Sequence, residues 1–283
     1  MKTKAIKSIL FPTDFSNGSM QALNYAIKLA KKTEAKLIVL NVVDMPFNLN
    51  TETESVEGDL ITSDLIRFSK VKLKAIELQI QTEHSLQYEA ITYVGETLTS
   101  IAKAVREYST DIIIMGTKIT KDLFFKSSSF SIVNNTFIPL ITVSEAAENI
   151  NFNAILFPFN ERLITLQKTD DVLKIAKLYD SKIILLGVLQ EDTLEKRQII
   201  TNNLMFVKSI FDDHKIACDV HFEINSDYSS AILEYCEKNK IDLITVANSS
   251  VEALPEHATA LSAKNVINHS QIPVLTIPVN QGY

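Results

Sequence analysis

The chain has 283 residues, 46% of them hydrophobic and 22% charged, close to the averages of a folded globular protein and away from those of disordered or membrane chains. Its 28 basic and 34 acidic residues are mixed along the chain and leave a formal net charge of −6, with no basic stripe to neutralise a phosphate backbone, which argues against nucleic acid as a partner. No apolar run approaches the length of a membrane span or follows Met1–Ile9 as a signal peptide would require, so a cytoplasmic protein with no membrane partner is expected.

In chain order, short β-branched and aliphatic runs alternate with longer stretches of helical period. Strands are expected near Ser8–Pro12, Lys36–Val43, Leu86–Thr92, Asp111–Gly116 and Leu140–Val143, with helices between them. In the first helix Ser16 is placed to cap the N-terminus, and Ala22, Leu23, Ala26, Ile27 and Ala30 form one apolar stripe, with lysines outside it or near its C-terminal end. A later helix repeats the pattern with Ile101, Ala104 and Val105.

The pattern then starts again. Ile9-Leu10-Phe11-Pro12 recurs as Ile155-Leu156-Phe157-Pro158, and Lys36-Leu37-Ile38-Val39-Leu40 as Lys182-Ile183-Ile184-Leu185-Leu186, both 146 residues on. Asp111-Ile112-Ile113-Ile114 aligns with Asp242-Leu243-Ile244-Thr245, and Ile138-Pro139-Leu140-Ile141 with Ile272-Pro273-Val274-Leu275, at shorter shifts. About a dozen residues are therefore missing from the second copy. The loss maps to the polar stretch Asn48–Asp59 after the second strand. Strands of the second copy are expected near Ala154–Phe157, Lys182–Leu189, Ala217–Glu223, Asp242–Val246 and Val274–Ile277. Strands alternating with helices give an α/β fold of two tandem doubly wound domains, 1–146 and 147–283.

The opening Ile9-Leu10-Phe11-Pro12-Thr13-Asp14-Phe15-Ser16, the Val42-Val43 end of the second strand, Gly95-Glu96 before a helix, Ile114-Met115-Gly116-Thr117-Lys118 and the closing Ile138-Pro139-Leu140-Ile141-Thr142-Val143 resemble signatures of the universal stress protein family. They cover the whole first copy. The second follows mainly through the repeat. The resemblance implies an adenine nucleotide alpha-hydrolase-like fold, with a five-stranded parallel sheet in the order 3-2-1-4-5 in each copy. It also implies pairing through the last strands and, in the members that bind ATP, nucleotide held over the strand tips.

In an open sheet of that order the crevice lies where strand order reverses, between the first and fourth strands. The candidate nucleotide crevice is accordingly Thr13, Asp14, Val42, Met115, Gly116, Thr117, Lys118 and Ser129. The family motif runs glycine, two residues, glycine, nine residues, glycine, then serine or threonine, so that backbone amides approach the phosphates. Counted from Gly116, the later positions fall on Ile119, Ser129 and Phe130, and only the first element is in place. A β-branched Ile119 adds bulk and resists positive φ. Lys118, Lys121 and Lys126 with Ser127, Ser128 and Ser129 are either a partly rebuilt anion site or a solvated loop with capping serines. Asp14 is either a cap for the first helix or a nucleotide ligand. In the second copy Asn160 replaces Asp14, and Ala247-Asn248-Ser249-Ser250 replaces Gly116-Thr117-Lys118-Ile119, so no nucleotide is expected there.

Other chemistry finds little support. His84, His214, His221, His257 and His269 have no metal-ligand spacing, although His257 falls near the second copy's strand tips. Cys218 and Cys236 read as small buried apolar residues. No serine elbow or Gly-Lys-Ser loop is present. The expectation is a nonenzymatic stress-response protein acting through protein contacts, with no metal and no cofactor. The alternative is an ATP or adenine-nucleotide sensor using the first copy. A third reading has another small metabolite in the second copy's crevice. Leu140, Ile141, Val274 and Leu275 lie on strands that need cover, so the expected partners are the other copy within the chain, a second chain in a homodimer, and a protein not identifiable from the sequence.

Overall fold

The computed structural model describes residues 5–44, 56–81, 86–117, 128–148, 150–160, 166–248 and 258–278. The first copy runs β1 (Ser8–Pro12), α1 (Asn17–Thr33), β2 (Lys36–Val43), α2 (Val56–Gln81), β3 (Tyr88–Val94), α3 (Thr97–Glu107), β4 (Ile112–Thr117), α4 (Ser128–Thr136) and β5 (Leu140–Ser144). The second repeats the order with β6 (Ala154–Phe159), α5 (Leu166–Tyr179), β7 (Lys182–Leu189), α6 (Leu194–Asp213), β8 (Cys218–Ile224), α7 (Tyr228–Lys238), β9 (Leu243–Asn248), α8 (Ala258–His269) and β10 (Val274–Pro278). Strand β3 sits two residues later than the sequence pattern suggests, because its ladder with β2 pairs Leu37 with Tyr88 and continues to Val43 with Val94.

By packing, the chain forms two compact units, one of Ile6–Gly116 and one that contains the chain from Thr117 onward. In the first, the strand order is β3-β2-β1-β4 and the pairs are parallel. In the second, the order is β5-β10-β9-β6-β7-β8. Its last five strands, β10-β9-β6-β7-β8, are the second copy in the expected 3-2-1-4-5 arrangement, all parallel. Strand β5 of the first copy joins them antiparallel to β10, with Ile141 opposite Leu275. The two strands expected to need cover thus cover each other within the chain. Helix α4 packs in the same unit, where Phe130 enters a core with Leu156, Ile232, Val266 and Val274.

The repeat is visible in the hydrogen bonds as well as in the order of elements. Ile9 pairs with Leu37 on β2, and Ile155, its counterpart, pairs with Ile183 on β7. Asp111 Oδ2 accepts from Lys7 N (2.8 Å) and Ser8 N (3.1 Å), which fastens the start of β4 to the start of β1; Asp242 does the same for Ala154 N at 2.9 Å. Both α3 and α7 carry an acidic N-cap. Glu96 accepts from Leu98 N and Thr99 N, and Asp227 accepts from Ser230 N.

Helix α1 forms as its sequence dictates. Ser16 is extended and accepts from Ser19 N, Glu34 closes the helix at φ 55°, and Lys31 and Lys32 sit in the last turn, where the helix dipole favours cations. Ala22, Leu23, Ala26, Ile27 and Ala30 are all buried.

Candidate functional site

At the carboxyl ends of β1, β2 and β4 the first unit brings together Thr13, Asp14, Val42, Met115 and Gly116, five of the crevice residues singled out from the sequence. Thr13 continues the ladder past β1, donating its amide to Leu40 O at 2.8 Å and accepting from Asn41 Nδ2 at 2.7 Å. Its buried hydroxyl accepts from Phe15 N at 3.0 Å and bonds Ser19 Oγ at 2.9 Å. These bonds hold Phe15 at φ 62°, a left-handed conformation uncommon for an aromatic residue. Asp14 is exposed, and its Oδ1 accepts from Ser16 N at 3.0 Å and Ser16 Oγ at 2.5 Å. The cap of α1 is therefore Ser16, and Asp14 braces that residue rather than capping the helix itself.

Gly116 has a different reason for being small. A Cβ on it would lie 2.3 Å from Gly18 C and O and 2.5 Å from Ser19 N, all backbone atoms at the start of α1. Its φ is not in the left-handed region, so close approach of the chain explains the glycine. Val42 and Met115 are half-buried, Met115 next to Gly116 on β4 and Val42 opposite Tyr93 in the ladder of β2 with β3.

The remaining crevice candidates divide. Thr117 donates to Val143 O at 3.4 Å, and Ser129 is buried in the first turn of α4. Phe130, at the motif's final hydroxyl position, is 6% exposed within the core, with Lys264 Nζ 5.1 Å from its ring centroid. Lys118, Ile119, Lys121, Lys126 and Ser127 lie outside the described residues, as do His84, Ser249, Ser250 and His257.

In the second copy, buried Asn248 donates from Nδ2 to Asn134 Oδ1 at 2.7 Å. Two residues there escaped the motif search. Lys168 and Thr169, in the first turn of α5, are 6% and 1% exposed and occupy the repeat positions of Ala22 and Leu23, the first two members of the α1 stripe. Lys168 Nζ donates to Pro158 O at 3.3 Å and lies 4.3 Å and 5.7 Å from the ring centroids of Phe157 and Phe159. Burial pulls its ammonium down to about 7. The Thr169 hydroxyl has no hydrogen-bond partner among the described residues. The signal that would have found them is the repeat alignment, because polar residues stand where the first copy has core ones.

Cys236 is buried as expected, whereas Cys218 at the start of edge strand β8 is only half-buried. Burial pushes both thiols up to about 12, so neither is a thiolate at neutral pH. His214 and His269 each place Nδ1 2.8 Å from a carbonyl one turn back in their own helix. Among the described residues no helix is long and apolar enough to cross a membrane.

Residues 5–144 match the model of the universal stress protein family. A curated universal stress protein of Methanocaldococcus jannaschii is 25% identical over 142 residues, 49% of this chain and 82% of its own length. Over nearly the whole length, 97% of both chains, the fold matches a solved universal stress protein of Archaeoglobus fulgidus with a TM-score of 0.72 at 18% identity. A functionally unknown protein of Pseudomonas aeruginosa matches over 97% of this chain and 93% of its own, with a TM-score of 0.62 at 12% identity. The motifs at the tips of β1 and β4, the doubled 3-2-1-4-5 plan and these matches together make the chain a member of the universal stress protein family.

Proposed function

We propose that the protein is a noncatalytic stress-response protein that works through protein contacts and has lost the family's usual nucleotide loop. The observation that carries this reading is Gly116. The one motif glycine left in place has its open side filled by the backbone of Gly18 and Ser19, so its smallness serves packing. Asp14 braces the α1 cap, and Phe130 belongs to a core. No cofactor is assigned to the chain in this reading.

Protein contact is supported by the second helix of each copy. On α2, Phe68, Val71 and Leu78 are 55%, 65% and 63% exposed; on α6, Leu194, Met205 and Phe206 are 89%, 48% and 56% exposed. Exposed large apolar side chains on one helix are where a protein partner would bury surface. Since β5 and β10 pair with each other, a homodimer would form through surfaces other than these strands.

Thermal unfolding of the purified protein with ATP, with and without magnesium, tests the reading. A ligand that binds only the folded state stabilises by RT ln(1 + [L]/Kd), about 2.7 kcal/mol at a hundredfold excess over Kd. No shift at millimolar ATP is expected. A shift that Asp14→Ala abolishes would instead make the first copy a nucleotide sensor.

A further inference from the structure

The first turn of α5 departs from the rest of the core. Helix α1 opens its buried stripe with Ala22 and Leu23, whereas α5, a 14-residue helix, opens the equivalent stripe with Lys168 and Thr169. Both are more than nine-tenths buried. Among the described residues the Lys168 ammonium meets no carboxylate; it donates to Pro158 O, at the carboxyl end of β6, and two phenyl rings flank it. The Thr169 hydroxyl has no partner among the described residues.

Two costs fall on this lysine at once. A buried cation without a counter-charge is unfavourable, and a cation in the first turn of a helix faces the positive end of the dipole. The Phe157 and Phe159 rings return part of that through cation–π attraction. An anion at this place would meet the ammonium, a hydroxyl with no partner among the described residues, and the first amides of α5, which have no acceptor within the helix. All three lie at the strand-tip end of the second copy, where β6 ends and α5 begins.

We propose that the opening of α5 is a binding site for a small organic anion, a carboxylate or a phosphate monoester, held by the Lys168 ammonium and the Thr169 hydroxyl. This site is in the second copy and does not depend on the function proposed for the chain.

Thermal unfolding tests it, with inorganic phosphate and acetate as separate probes and sodium chloride at matched ionic strength as the reference. Phosphate or acetate is expected to raise the midpoint above the chloride reference. Lys168→Met, which conserves volume, should lose the response, and Thr169→Val should reduce it. A phosphate-only response assigns a phosphorylated ligand, and an acetate-only response assigns a carboxylate. A response equal to that of chloride, or one retained in Lys168→Met, overturns the proposal. If that variant fails to fold, the 13Cε resonance of Lys168 in the wild-type protein decides: movement on addition of the effective probe supports the site, and an unmoved resonance refutes it.

Discussion

Replacing Gly116 with alanine is the sharpest test of why the motif glycine is there. The added methyl would stand 2.3 Å from Gly18 C and O, where ordinary contacts begin at 3.4 Å, so roughly 1 Å of overlap must be relieved. The obstructing atoms are main chain, fixed by the α1 N-cap and by the Thr13–Ser19 bond, so relief means moving the start of α1. Overpacking costs about 1–3 kcal/mol, and a backbone obstacle places this case near about 3. Gly187→Ala is the internal comparison. Its Cβ would approach Ile200 Cγ2 at 2.7 Å, Phe222 Cδ1 at 2.9 Å and Leu204 Cδ1 at 3.0 Å, all side-chain rather than main-chain atoms and all farther off than the obstacles at Gly116. A cost near about 1 kcal/mol follows for it. At about 2–4 °C per kcal/mol for a chain of this size, Gly116→Ala should lower the melting temperature by about 6–12 °C and Gly187→Ala by about 2–4 °C. Differential scanning calorimetry without nucleotide reads both. A Gly116→Ala protein melting within about 2 °C of wild type, or a larger loss in Gly187→Ala, would refute the packing argument.

Other perturbations test separate parts of the structure. Leu275→Ala, at a position 1% exposed and opposite Ile141, should cost about 2–5 kcal/mol in urea unfolding, because it opens a cavity where β5 meets β10. Asp227→Ala should cost about 1 kcal/mol by removing the α7 cap. Amides and hydroxyls hold the caps' carboxyls below their ordinary values: for Asp227 first the Ser230 amide, for Glu96 first the Thr99 hydroxyl. Depressed acids stabilise the fold above the ordinary carboxyl range and lose that contribution as pH falls through their folded values. The unfolding midpoint should therefore drop below about pH 4, less steeply in a Glu96→Gln, Asp227→Asn double variant. Lys168 has the opposite sense. Its folded pKa of about 7 lies below the unfolded value of 10.5, so the unfolded chain binds the extra proton between them and stability rises with pH across that window. Melting temperatures from pH 7 to 10 should show this component in wild type, and Lys168→Met should lack it.

Much of the architecture follows from short-range sequence features. The doubled pattern, the βα alternation, the α1 stripe from Ala22 to Ala30 and the Ser16 cap rest on periodicity and on bonds spanning a few residues, so they are legible in a linear string. The bonds by which Asp14 braces the Ser16 cap belong to the same class, since the two residues are two positions apart. Tertiary structure decided the rest, because the partners are distant in sequence. Strand β5 meets β10 across 132 residues, at the Thr142 hydroxyl bonded to Val274 O, and this pairing gathers α4 and β5 with the second copy although the repeat assigns them to the first. The neighbour that fills the open side of Gly116 is Gly18, which no local pattern connects to it. Lys168 carries a charge that a helical pattern read alone assigns to solvent. Only the packing of α5 over Phe157 and Phe159 puts that ammonium inside, because burial is a property of the surfaces that meet and not of the residue that is buried.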